Sequence, residues 1–282
     1  MDLIALSPAD IDRAVATGLA EDVGTGDVTS NAILPAEVRC RAALLVKEQG
    51  VLAGLPVAEA FFSAVSLDTS FERLASDGDW IAEAPGTVAV VEGPARAVLA
   101  AERAALNVLG RLSGVATLTR RFVNAVEGTG TTILDTRKTT LGLRSLERYA
   151  VRCGGGANHR HGLWDAVLVK DNHLRLAGGI RPALARLHAA RPDLPVEVEV
   201  ETLDEVREAL AAGADRLLLD NMTPVELREA VALVAGRVPT EASGGVSLST
   251  VREMAESGVD FISVGALTHA ARSLDVSMEV LL

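Results

Sequence analysis

The residues best suited to chemistry lie between Arg137 and His161, where six lysines and arginines and two histidines are accompanied by a single acid, Glu147. Such a window suits anions, because guanidinium groups clamp carboxylates and phosphates through paired hydrogen bonds and lysine neutralises them as a point charge. Further on, Val196-Glu197-Val198-Glu199-Val200-Glu201 alternates with period two, so a strand here sends three valines to one face and three glutamates to the other. Glutamates facing an interior need positive partners, and Lys138, Lys170 or a divalent cation are the candidates, since an unpaired buried carboxylate is costly or protonated. The alternative is an internal lysine and glutamate ion-pair network with no catalytic role. Arg144, Arg148 and Arg152, spaced i, i+4, i+8, belong either to a solvated helix face or to a subunit contact.

These residues need elements to hold them. Ser7-Pro8-Ala9-Asp10 reads as an N-cap, a proline at the first helical position and an early acid, which predicts a helix to about Glu21. A strand over 39–47, a helix over 56–65 and a strand over 87–92 follow, then a long helical stretch from Pro94 that Gly114 is expected to bend or break. After Gly130 short apolar runs at 132–134, 166–169, 196–200, 217–219, 240–242 and 261–264 alternate with helical segments, which implies a parallel sheet with right-handed crossovers. Each run ends in polar or glycine-rich residues: Asp135-Thr136-Arg137-Lys138, Lys170-Asp171-Asn172-His173, Glu201-Thr202, Asp220-Asn221, Ser243-Gly244-Gly245 and Gly265-Ala266. An open sheet gathers ligand groups at one switch point and a barrel gathers them from every strand, so a barrel is favoured. Six units leave such a barrel short of eight, and another element must complete it or the N-terminal region must cover its opening. Ser243-Gly244-Gly245 and Gly265-Ala266 would each pass for a turn alone, but in consecutive final units they point to phosphate.

Composition removes several function classes. The net charge of −11 argues against general nucleic-acid binding. No apolar run approaches the roughly 20 residues that cross a bilayer, and the first ten residues do not read as a secretory signal. Cys40 and Cys153 are too few for a disulfide framework and lack zinc-ligand spacing, which fits a reduced cytoplasm. Cys153 is expected to be a small packing residue, Gly24-Thr25-Gly26-Asp27 a structural turn, His188 structural or exposed, and His269 a cap near the last glycine loop.

The motifs Asp135-Thr136-Arg137-Lys138-Thr139, Gly142-Leu143-Arg144, Tyr149-Ala150-Val151, Gly154-Gly155-Gly156, His159-Arg160 and Lys170-Asp171-Asn172-His173 resemble the quinolinate phosphoribosyltransferase family. The likeness extends from Glu21-Asp22-Val23-Gly24 through Ala101-Glu102-Arg103-Ala104 to Val264-Gly265-Ala266-Leu267-Thr268-His269. It implies an N-terminal α/β sandwich at 1–112, with 270–282 packing back on it, and an incomplete α/β barrel of TIM type at 113–269. It further implies a homodimer sharing its active site, with a hexamer left open. The substrates would be quinolinate and phosphoribosyl pyrophosphate, the cofactor Mg2+, and the product nicotinate mononucleotide. By matching motifs, Arg137, His159, Arg160 and Lys170 would contact quinolinate, with Arg103 reaching in from a partner subunit. Lys138, Glu199, Asp220, Ser243, Gly244, Gly245, Gly265 and Ala266 would hold phosphoribosyl pyrophosphate, and Thr136 would bind substrate beside them. Lys138, Lys170, Glu199 and Asp220 are the expected catalytic set, with Glu199 and Asp220 on the metal directly or through water. Leu141 stands where the family's loop is expected to carry proline, which bears on loop rigidity more than on reaction type.

Three other readings compete. One is a molybdenum-transport-linked relative of the same fold, which is not expected to share the full Thr-Arg-Lys and Lys-Asp-Asn-His motifs. Another is a Schiff-base lyase using Lys138 or Lys170 as an amine nucleophile. The last is a catalytically silent homologue.

Overall fold

The computed structural model describes residues 6–281, so the opening stretch in which no secretory signal is expected lies in part outside the described residues. The chain forms two compact units. One gathers the residues up to Arg120 with Thr139–Gly155 and those from Leu267 onward; the other holds Arg121–Lys138 and Gly156–Ala266.

The first unit is built from α1 (Pro8–Asp22), α2 (Val28–Ile33), β1 (Arg39–Val46), β2 (Gly50–Val51), α3 (Leu55–Val65), β3 (Ser70–Arg73), β4 (Trp80–Ile81), β5 (Gly86–Pro94) and most of α4 (Ala95–Ala125). Ser7 caps α1 by accepting the Asp10 amide at 3.2 Å, with Pro8 opening the helix. The expected turn at Gly24–Asp27 ends with Asp27 capping α2 through the Thr29 and Ser30 amides. β1 and β5 pair antiparallel, and β3 and the C-terminal strand (276–281) extend the sheet on either side. Phe61 and Phe62 on α3 are fully buried, as are Leu109 and Leu112 on α4. Together they fill the aliphatic core that the composition promises.

Gly114 does not break α4, which runs unbroken. A Cβ at Gly114 would stand 2.0 Å from the Arg272 carbonyl oxygen, so this glycine serves close approach of another segment. Ser113 and Thr117 on the same helix accept the Ala53 and Val51 amides at 3.0 and 2.8 Å, satisfying the backbone around β2.

The later elements are β6 (Thr132–Leu134), α5 (Arg144–Cys153), β7 (Val167–Val169), α6 (Asp171–Ala177), α7 (Ile180–Ala190), β8 (Val196–Val200), α8 (Leu203–Ala211), β9 (Arg216–Asp220), α9 (Pro224–Val234), β10 (Thr240–Ser243), α10 (Val251–Ala255), β11 (Phe261–Ser263), α11 (Ala266–His269) and β12 (Val276–Leu281). The six strands β6 to β11 form one parallel sheet in the order β6-β11-β10-β9-β8-β7. The first strand lies beside the last, which happens only when a βα series wraps round on itself. Among the described residues β6 and β7 do not pair, and a single bridge from Leu134 to Ala157 occupies that edge of β6. The second unit is therefore an incomplete α/β barrel, and the first an α/β sandwich. No described helix is long and apolar enough to cross a membrane.

Candidate active site

The cationic loops are fastened at their base by a buried acid. Asp135 follows β6 and is fully buried; its Oδ1 accepts the His159 amide at 2.8 Å and its Oδ2 accepts the Asn158 side-chain amide at 2.6 Å. The Ala157 amide donates to the Ile133 carbonyl at 2.8 Å, so the segment carrying His159 and Arg160 lies against the strand that launches Arg137 and Lys138. Burial, followed by the field of Arg137, draws the Arg160 guanidinium below the usual arginine range, which still leaves it charged at neutral pH. Two guanidiniums held near each other in this way form a site prepared for an anion.

A cavity of about 430 Å³ opens at the carboxyl ends of the strands, lined by Thr136, Arg137, Lys138, Lys170, Asp220 and Ser243, with His159, Arg160, Glu199 and Glu241 completing its polar wall. Lys170, after β7, pairs with Glu199 on β8. An ammonium held by a carboxylate is not a free amine, which weighs against Schiff-base chemistry at Lys170. Asp220 ends β9, and its Oδ2 accepts the Asn221 side-chain amide at 2.6 Å. Asn221 adopts φ 57° and sits so close to Gly244 that a Cβ there would meet Asn221 Oδ1 at 2.1 Å. With its own φ of 88°, position 244 has room for glycine alone. A larger depression of about 610 Å³ in the first unit, lined by Leu34, Val38, Leu99 and Val280 with Arg39, Arg41 and Glu92, carries fewer charged groups and takes none from the strand ends of the barrel.

The partners of the β8 glutamates differ from those expected. Glu197 and Glu199 are buried, but Glu201 lies beyond the strand end and is exposed, with its amide donating to Glu205. The alternation loses its meaning there because the chain has already left the sheet. Lys170 does serve Glu199, whereas Glu197 is met by Arg216 Nε at 3.0 Å and His159 Nε2 at 3.2 Å. Arg216 also pairs with the fully buried Glu241 on β10 and lies 4.1 Å from the centre of the Phe261 ring. Sequence reasoning missed Arg216 and Glu241. The available signal was a charged residue within each of two barrel strands, Arg216 at the start of β9 and Glu241 inside β10.

The glycine pairs sit at the ends of β10 and β11, with Gly265 and Ala266 opening α11. Arg103 belongs to the first unit, where it is exposed on α4 and borders a depression of about 240 Å³. Cys153 is buried, and burial pushes its thiol up to about 12, so it packs and does not react. His188 is half-buried on α7 and His269 exposed at the end of α11. Arg144, Arg148 and Arg152 are all half-buried on α5, and Arg144 Nε donates to the Thr139 hydroxyl at 3.0 Å.

This arrangement can be set beside known proteins. Residues 27–113 match the N-terminal domain model of quinolinate phosphoribosyl transferase, and residues 115–279 match its C-terminal domain model. The chain is 43% identical to a probable nicotinate-nucleotide pyrophosphorylase [carboxylating] of Bacillus subtilis, covering 93% of this chain and 90% of that one. It is 42% identical to the chloroplastic nicotinate-nucleotide pyrophosphorylase [carboxylating] of Arabidopsis thaliana, covering 96% and 83%. Among solved structures, NadC from Streptococcus pyogenes superposes with a TM-score of 0.94 at 40% identity, over 99% of this chain and 100% of that one. The nicotinate-nucleotide pyrophosphorylase of Francisella tularensis gives 0.95 at 38% identity, over 100% and 99%. With both domains matched in order and an anion pocket at the mouth of an incomplete barrel, the chain belongs to the quinolinate phosphoribosyltransferase family.

Proposed function

We propose that the chain is a pentosyltransferase that joins quinolinate to the ribose of phosphoribosyl pyrophosphate and releases pyrophosphate and CO2, giving nicotinate mononucleotide for NAD biosynthesis. The observation that carries this reading is one cavity in which Arg137, Lys138, Arg160 and Lys170 converge with the acids Glu199 and Asp220. One substrate is a dianion and the other carries phosphate and pyrophosphate, so cations must dominate, while acids serve ribose hydroxyls.

Arg137 and Arg160 clamp the two carboxylates of quinolinate, and His159 and Lys170 complete that half of the pocket. Lys138 neutralises the departing pyrophosphate, and Thr136 and the loops Ser243-Gly244-Gly245 and Gly265-Ala266 hold the phosphates through hydroxyl and backbone groups. As the bond to pyrophosphate breaks, ribose C1 gains oxocarbenium character and is attacked by the pyridine nitrogen, which needs no general base. The adjacent pyridinium nitrogen then stabilises the electron pair that departing CO2 leaves on the ring carbon, and that carbon takes up a proton. The chain's contribution is orientation and charge already in place before the reaction.

Glu199 and Asp220 would hold Mg2+. Their oxygens are hard donors on one wall of the cavity, and magnesium commonly uses one or two carboxylates together with substrate phosphates. Bound there, the ion would add positive charge against the pyrophosphate. Arg103 completes the site from a second copy of the chain in a homodimer, which its exposed position on α4 permits. The free cysteines Cys40 and Cys153 suit a reducing cytoplasmic setting.

The test is a magnesium-dependent assay with quinolinate and phosphoribosyl pyrophosphate, following nicotinate mononucleotide and CO2, with nicotinate as a parallel substrate. Stoichiometric release from quinolinate alone is expected. A folded protein giving neither product removes the substrate assignment and favours the transport-linked relative.

A further inference from the structure

Beneath the anion pocket lies a layer of charge that this mechanism does not use. Glu197 comes two residues before Glu199 on β8, and Glu241 two before Ser243 on β10, so both face the interior one step in from the strand ends, with Glu241 at the floor of the cavity. Arg216 reaches both from β9, and His159 Nε2 lies 3.2 Å from Glu197 Oε2 and 3.5 Å from Glu241 Oε2. His159, Glu197 and Glu241 are close enough to suggest a metal site. The Arg216 guanidinium already lies against both carboxylates, however, and a cation there would sit beside it.

Two carboxylates and one guanidinium leave one negative charge in a site of low dielectric, which is costly unless a proton offsets it. The histidine decides where that proton can go. Its Nδ1 accepts the Arg160 amide at 2.7 Å, so the ring's own proton sits on Nε2 and faces the two acids. The surplus proton then falls to Glu241, which has no exposed surface. Burial, then the field of Glu197, raises the Glu241 carboxyl above its ordinary range. The groups facing the cluster are Glu197 from β8, Arg216 from β9, Glu241 from β10 and Ser263 from β11. Asp135 holds the His159 amide, and Arg160 and Arg137 stand above.

We propose that Glu197, Arg216 and Glu241 are positioning residues that hold the Nε2 edge of His159 by charge, so that its Nδ1 fixes Arg160, and that Glu241 retains one surplus proton while a dianion binds above. This rests on the proposed function for the identity of the dianion. Losing the proton at alkaline pH puts a negative charge under the pocket, which weakens substrate binding more than it slows the chemistry. Glu241→Gln keeps the shape and cannot acquire that charge. Arg216→Lys keeps the charge but loses the planar fork that spans two acids.

The experiment joins 15N NMR of the histidine rings in the unliganded protein with KM and kcat for quinolinate across pH, for the natural chain, Glu241→Gln, Arg216→Lys and Arg216→Met. His159 should show a proton on Nε2 and an accepting Nδ1. KM in the natural chain should rise about tenfold toward alkaline pH, with kcat moving less, and Glu241→Gln should flatten that rise. Arg216→Lys should raise KM at every pH and still outperform Arg216→Met. A His159 proton on Nδ1, or a KM profile unchanged by Glu241→Gln, overturns the proposal. If the variants do not fold, the ring tautomer and KM profile of the natural chain decide it alone. If the natural chain does not turn over quinolinate, the function reading fails, and the tautomer with its response to Glu241→Gln still judges the floor.

Discussion

Two buried acid clusters in this chain use the same residue types to different ends. In the first unit Glu147 is fully buried and every partner is aligned: Oε2 accepts the Thr140 amide at 3.0 Å, and Oε1 accepts the Thr140 hydroxyl at 2.7 Å and Arg111 at 2.7 and 3.0 Å. Arg111 gives its remaining donors to the carbonyls of Ala271 and Thr268. In the barrel, Glu197 Oε1, Glu241 Oε1, His159 Nε2 and Arg216 Nε are all buried without an aligned hydrogen bond among the described residues, although charge partners lie close. One acid with one arginine makes a closed fastening. Two acids sharing one arginine leave polar capacity unspent, as functional sites commonly do.

The comparison breaks if the two clusters respond alike to substitution. Arg111→Met should be the most damaging to stability, by about 3–5 kcal/mol in denaturant unfolding, because it strands a buried carboxylate. For activity the largest effect belongs to Arg137→Ala, which should cost at least about a hundredfold in kcat/KM while the unfolding midpoint holds, since a clamp on a carboxylate is lost and no core contact is. Near-normal turnover in that variant would sink the assignment of the pocket.

Neutralising each acid sharpens the contrast further. Glu147→Gln should cost about 1.5–3 kcal/mol, as expected for charged hydrogen bonds, and Glu241→Gln should be close to neutral because its acid already favours the uncharged form. The sign with pH follows. Glu241 is raised in the folded chain, so it contributes stability that is full below its unfolded pKa and is lost as pH rises through the folded one. Unfolding midpoints should therefore fall with rising pH more steeply in the natural chain than in Glu241→Gln; equal slopes would remove the surplus proton. The smallest effect is expected at Cys153: a thiol reagent at neutral pH should leave it unmodified in the folded chain, and Cys153→Ala should retain turnover.

Much of the scaffold was legible because hydrophobic period reports burial directly. The six barrel strands fall within a residue or so of their apolar runs, and Ser7-Pro8 marks the start of α1 as its capping chemistry requires. β3 left no such trace, since Ser70–Arg73 is largely exposed, and β12 is a strand only through its pairing with β1. Gly114 misled for a related reason: a glycine that admits a neighbouring carbonyl looks, in sequence, like one that breaks a helix.

The charge of the pocket and the rim on which it lies were legible in the residues alone, because residue type sets charge and strand ends set position. Arg137, Lys138, Arg160, Lys170, Glu199 and Asp220 were all identifiable before any coordinates and share one cavity. Only the tertiary structure decided which charges meet. Glu197 chose Arg216 over either lysine, and Glu241 joined from another strand, because barrel closure and register bring together residues that no local spacing relates. Pairing in a buried layer depends on which strands lie side by side, and that is a property of the folded sheet.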